Sequence, residues 1–238
     1  MAEWIKTSRR ELLKSASNMV PGLMMAGSAG AILAQCKGRD GEEEVSPAED
    51  LMREHGVLKR VMLIYEEVLQ RIARRQGFPS QALADSAQII RTFIEDYHEI
   101  LEEDFLFPRF RKAKRLLELV AILSEQHKAG RTLTDIIIQN ANDKALRNTA
   151  KRKGLASSMR LFNRMYAPHE AREDTILFPA LHSIMTKNEY DSLGDEFEKK
   201  EHQLFGKEGF EGMVDKVASI EKQLGIYDLA RFTPVADS

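Results

Sequence analysis

The side chains best able to do chemistry occur in two copies of one short pattern. "YHEILEEDFLFP", residues 97–108, returns as "PHEAREDTILFP", residues 168–179, so that His98, Glu99 and Glu102 answer to His169, Glu170 and Glu173. On an α-helix, residues four apart share a face and lie one turn from each other. His98 therefore stands beside Glu102, and His169 beside Glu173. Imidazole nitrogen and carboxylate oxygen together suit divalent transition-metal ions. One such pair from each of two helices can converge on two cations, each glutamate spanning both ions and each histidine filling a terminal position. His55 in "LMREHGVLK" and His127 in "LSEQHKAG" sit beside apolar residues and are candidates for the remaining nitrogen ligands. A solvated polar pair is the competing account of each His–Glu spacing. It fits poorly with flanks such as Phe93, Ile94, Leu101 and Phe105, or Phe162, Met165, Ile176 and Leu177. A buried carboxylate costs on the order of several kcal/mol unless a cation or a proton accompanies it.

The groups around these six have open roles. Glu99 lies at the edge of the His98–Glu102 face, placed to be a further ligand, an acceptor for a histidine N–H, or an exposed side chain. Glu170 stands in the same relation to His169. Tyr166 shares the face of His169, and a core tyrosine with a bonded hydroxyl is the preferred reading over contact with a bound oxygen species. His202, four residues after Glu198, has the ligand spacing and becomes an additional ligand if its helix folds over the open end of the others. His182, beyond Pro179, reads as structural or exposed.

Holding four histidines together requires four helices. Ser46, Pro47 and Glu49 form a helix-start signal, and the apolar positions Leu51, Val57, Leu58, Met62, Leu69 and Ile72 continue from it until "RRQGFPS". A second helix is expected over about 80–106, stopped by Pro108, a third over about 113–141 and a fourth over about 145–178. Strand-like alternation is absent from the sequence. Short connections between long helices predict an all-α, antiparallel four-helix bundle with inward-facing ligands. Two shorter helices follow, one opened by Thr186 and Glu189 and one over about 209–224, as an appendage within a domain of residues 47–226 ahead of a tail over 227–238.

Composition narrows the function. Thirty-five basic and thirty-seven acidic residues give a net charge of −2, which makes no electrostatic case for nucleic acid. The single cysteine, Cys36, excludes a thiolate zinc or iron–sulfur site and an internal disulfide framework. Residues 1–36 read as an address: Arg9 and Arg10 precede a Gly/Ala/Met-rich run from Met19 to Ala34, and "SRRELLK" resembles a twin-arginine export signal. Ala29-Gly30-Ala31 offers a cleavage site, while "LAQC" resembles a lipid-attachment box at Cys36 with Gln35 where a small residue is usual. The expectation is export to the periplasm, with membrane contact only through the signal or a lipid on Cys36. A charged linker over 37–46 leads into the bundle.

The order His55, H-E-x-x-E at 98–102, His127 and H-x-x-x-E at 169–173 resembles the hemerythrin-like, HHE cation-binding family. That resemblance implies a four-helix bundle around a non-haem di-iron centre, with His55, His98, His127 and His169 as terminal ligands and Glu102 and Glu173 bridging; manganese is the other metal such ligands admit. Oxygen-carrying members add a histidine one turn after the helix-three ligand, where this chain has Arg131, and use Asp five residues after the helix-four histidine, where Glu173 stands at four and Asp174 at five. Four nitrogens leave more of each metal open to solvent or substrate. The expected function is binding of, or reaction with, O₂, peroxide or nitric oxide, with electrons from a separate donor. An O₂ or redox sensor and an iron-handling or iron-centre repair protein are the alternatives.

Overall fold

The computed structural model describes residues 45–234; the readings made for residues 1–36, including cleavage after Ala31 and lipid on Cys36, lie outside the described residues. Helix α1 spans Pro47–Arg74, and its start follows from its sequence: the Ser46 side chain accepts the Glu49 N–H at 3.2 Å, Pro47 needs no partner for a missing N–H, and Glu49 and Asp50 offset the helix dipole. The helix ends where Arg75 turns left-handed, with φ 56°. Its buried side chains, among them Leu51, Leu58, Val61, Ile64, Tyr65 and Val68, recur at helical spacing and face the centre.

Helix α2, residues 80–113, passes through the expected stop at Pro108. It does so because the turn ahead of the proline is wide: Glu102–Leu106 is π-helical, and the Phe107 N–H bonds to the Glu102 carbonyl five residues back. A proline inside an ordinary α-turn would meet the carbonyl four residues earlier and leave it without a donor. Widening the turn by one residue moves that carbonyl away from the ring. Another π segment, Ile90–His98, ends at the first histidine of the motif. Helix α3 is Leu117–Asn140. The expected fourth helix is divided: a short α4, Asp143–Arg147, ends at Asn148, which turns extended and caps α5, residues 149–180, by accepting the Lys151 N–H. Helix α5 repeats the device of α2. Glu173–Leu177 is π-helical, the Phe178 N–H bonds to the Glu173 carbonyl, and Pro179 follows.

Helices α1, α2, α3 and α5 pack as an antiparallel bundle in which each touches its two neighbours, α5 closing the ring against α1. Across that closing seam Tyr65 meets Phe162 edge-on and the Asn163 amide donates to the Met62 carbonyl at 3.0 Å. Helix α6, Lys187–Phe205, opens with the capping box of Thr186 and Glu189. Helix α7, Gly209–Leu224, lies against α1 and α2, where Arg60 grips Glu221 through two bonds of 2.9 and 2.6 Å. Phe197, Phe205 and Phe210 cover Phe93, Tyr97 and Phe105. Each such ring contributes roughly 1.5–3 kcal/mol when removed from water. Among the described residues no helix is long and apolar enough to cross a membrane.

Candidate metal centre

Each bundle helix brings one histidine to the interior. His55, His98, His127 and His169 come from α1, α2, α3 and α5 and are all buried, as are Glu102 and Glu173, whose side chains have no exposure. The Nε2 atoms face inward and draw the carboxylates between them. His55 Nε2 lies 3.4 Å from Glu173 Oε2 and His169 Nε2 lies 3.1 Å from Glu173 Oε1. His127 Nε2 is 3.4 Å from Glu102 Oε2, and His98 Nε2 is 4.0 Å from it. Each glutamate thus stands between one histidine of the His55/His98 pair and one of the His127/His169 pair. The ligand atoms of Glu102, His127, His169 and Glu173 lie within 4.8 Å of one another, close enough to hold a metal ion.

The Nδ1 atoms face outward, and each has an acceptor on the preceding helix of the ring. Glu54 of α1 bonds His98 at 2.8 Å, Glu103 of α2 bonds His127 at 2.9 Å, Gln126 of α3 bonds His169 at 2.9 Å, and Asp174 of α5 bonds His55 at 2.7 Å. Acceptors there favour the proton on Nδ1, so that in each neutral ring it is the Nε2 lone pair that faces the site. None of these four acceptors is predicted from the sequence as a partner of a histidine. Their signal is adjacency: each is the immediate neighbour of a candidate ligand, as in Glu54-His55, Glu102-Glu103, Gln126-His127 and Glu173-Asp174.

The arrangement is electrostatically incomplete without a cation. No oxygen of Glu102 or Glu173, and not the Nε2 of His127, makes a hydrogen bond among the described residues. His55 and His98 turn their Nε2 lone pairs toward each other at 3.0 Å, a repulsive approach unless a proton or a metal lies between the rings' targets. Burial and the neighbouring Glu173 charge drive the Glu102 carboxyl above the ordinary range. Glu173 goes the other way: burial opposes its charge, but the His169 and His55 imidazoles outweigh burial and hold it low. Burial takes His98 down to about 4, whereas neighbouring carboxylates overcome burial at two other rings: Asp174 and Glu173 raise His55 to about 10, and Glu99, Glu102 and Glu103 hold His127 well above its ordinary value. Metal ions supply the positive charge that such a set of inward lone pairs needs.

The remaining candidates are placed elsewhere. Glu99, read as a further ligand, a histidine acceptor or an exposed side chain, is buried: its Oε1 accepts from the Tyr166 hydroxyl at 2.6 Å, its Oε2 pairs with Arg131 at 2.9 Å, and with Glu103 and His127 it forms a second group close enough to hold a cation. The guanidinium also reaches Glu103 at 2.9 Å, so the one charge of Arg131 already balances that corner. Tyr166 is a core tyrosine with its hydroxyl bonded, held against α3 where Gly130 has no Cβ to obstruct it. His202 does not join the cluster. Its neighbour Glu201 is turned inward, accepting the Phe210 N–H at 2.7 Å to hold the α6–α7 turn, and His202 on the adjoining face is exposed. Glu170 is buried near Lys59, at 3.9 Å, and burial raises its carboxyl to about 7. His182 is exposed and rests against the Tyr190 ring.

Fold and site together define a metal-binding helical bundle. The comparison with known families agrees: the model of the hemerythrin HHE cation-binding domain matches residues 46–135 and again 118–233, and the chain belongs to that family. Proteins from Mycobacterium tuberculosis (strain ATCC 25618 / H37Rv) and Mycobacterium bovis, each described only as an uncharacterised protein, are similar to it, 45% identical over 231 residues. The alignment covers 95% of this chain and 91% of theirs. No solved structure matches the chain.

Proposed function

We propose that the bundle holds two iron ions, bridged by Glu102 and Glu173, and that this centre binds or reacts with O₂, peroxide or nitric oxide. The observation that carries the reading is that both oxygens of both buried glutamates lack hydrogen-bond partners while each carboxylate lies between two histidine pairs. One cation would satisfy four of these groups; the second pair, His55 and His98, supports a second. Six ligands shared between two ions leave coordination positions free, and bound iron would supply one-electron chemistry there. The chain's own part is to hold the imidazoles through the Nδ1 ring and to exclude water with Phe107 and Phe178, which stack on His127 and His55. A role in passive oxygen storage is less favoured, because Arg131, committed to Glu99 and Glu103, supplies no fifth nitrogen. Export is proposed with it, on Arg9-Arg10 and Ala29-Gly30-Ala31, and cell fractionation of the tagged full chain tests that part.

Metal analysis and stopped-flow spectroscopy of anaerobically iron-loaded protein test the reading. Two iron ions per chain and a spectral change on mixing with O₂ or nitric oxide are expected. One ion or none per chain, or two ions whose spectrum O₂, peroxide and nitric oxide all leave unchanged, would overturn it.

A further inference from the structure

The ring of Nδ1 acceptors is not uniform, and its members differ by charge. At the His55/His98 end both imidazoles donate to carboxylates, Asp174 and Glu54. The Asp174 oxygen that bonds His55 is not the one that meets Lys59, which sits 3.2 Å from Oδ2 and is 49% exposed. At the other end only one of the two acceptors is a carboxylate, and a guanidinium shares the oxygen it offers. His127 donates to Glu103 Oε1, but Arg131 donates to the same oxygen at 2.9 Å, and His169 donates to the neutral amide oxygen of Gln126. A carboxylate behind Nδ1–H pushes electron density toward Nε2 and makes it the better ligand for a more highly charged cation, and an amide does so far less.

We propose that Gln126, with Arg131 behind Glu103, makes the two metal positions electronically unequal: the ion at His127/His169 takes the first electron and the ion at His55/His98 the second. Gln126 is a positioning residue in this scheme, acting on the metal through His169. The inference rests on the two-ion reading above. Each step transfers one electron from an added reductant, dithionite, to one ferric ion, and the Nδ1 protons stay where they are.

The test is a potentiometric titration of the full chain loaded with two iron ions, with iron content measured first and the half-reduced state examined by Mössbauer spectroscopy. Wild type is expected to reduce in two resolved one-electron steps, with distinct ferrous and ferric ions at the midpoint. Gln126→Glu, nearly isosteric at a half-buried position, should shift the higher-potential step downward and narrow the gap, moving the lower step much less. Asp174→Asn should raise the lower-potential step and leave the higher one nearly in place. A single unresolved step in wild type, equal movement of both steps, or no movement in variants that keep two irons would overturn the proposal. Fewer than two irons in wild type would instead defeat the two-ion reading itself.

Discussion

Glu102 and Glu173 show most directly how one residue type serves two states of the protein. With the metal bound, both are useful; without it, two buried carboxylates face each other and only Glu173 has imidazole charge enough to stay ionised. Glu102→Gln keeps the shape and removes that conflict. The metal-free variant should therefore unfold with a free energy roughly 1–3 kcal/mol higher than metal-free wild type, while its metal content falls; urea titration and metal analysis read the two effects separately. A less stable metal-free variant would mean that Glu102 has a favourable partner of its own. Glu99 gives a pH dependence of fixed sign. Burial raises its carboxyl from 4.5 to about 8 despite the pull of His127, Tyr166 and Arg131. The folded chain thus keeps a proton that the unfolded chain has released, and the stability tied to it is complete below about 4.5 and lost as pH rises through about 8. Metal-free wild type should lose stability across that window more steeply than Glu99→Gln, measured as urea midpoints at several pH values; parallel curves would exclude the effect. His98, Glu102, His169 and Glu173 are legible because their four-residue spacing occurs twice, and His55 and His127 because they sit among apolar residues of the other two helices. Their acceptors are not, because a residue next to a ligand points to a different helix, and which helix that is depends on packing order.

At the scale of the element, the duplicated Phe-Pro is the telling feature. Read alone, Pro108 ends a helix; in the structure it sits six residues after Glu102 in a helix whose turn has opened to accommodate it, and Pro179 stands in the same relation to Glu173. The proline and the buried glutamate are parts of one local device, in which the carbonyl of the glutamate receives the N–H five residues later. Single-residue rules treat proline as a stop because they assume an α-turn before it. Helix α3 shows the opposite case, where a small residue matters for what passes beside it. A Cβ on Gly130 would occupy the place of the Tyr166 hydroxyl. Gly130→Ala should displace the ring, break its bond to Glu99 and cost about 1–3 kcal/mol in thermal unfolding. Tyr166→Phe removes the obstructing oxygen, so the double variant should recover part of the loss that Gly130→Ala causes alone. Equal losses that simply add would place the strain of Gly130→Ala elsewhere.

For the whole molecule, the four bundle helices and the capped start of α6 follow from periodicity and end signals, whereas the order of the helices around the core and the docking of α6 and α7 do not. His202 has the same i,i+4 spacing as the buried His–Glu pairs, yet the inward turn of Glu201 sends it to solvent, a choice made by the α6–α7 corner and not by the helix pattern. A cation in the buried cluster would add to the closure of the bundle beyond what its apolar core supplies. Helices α1, α2, α3 and α5 each bury an imidazole, and an ion held by Glu102, His127, His169 and Glu173 would tie α2, α3 and α5 together. A ligand bound only by the folded chain stabilises it by about 4 kcal/mol when present at a thousandfold its dissociation constant. For a chain of this size that is a melting temperature higher by on the order of 10 °C. Chelation should lower the melting temperature by that much in wild type, and scarcely at all in the Glu102→Gln/Glu173→Gln double variant, as scanning calorimetry would show. The tertiary packing of Tyr65, Phe162 and the α6–α7 aromatic cover is independent of the ion, so the metal-free chain should still melt in one cooperative transition. A broad, multistep melt after chelation would instead show that the ion, and not the apolar core, holds the helices in register.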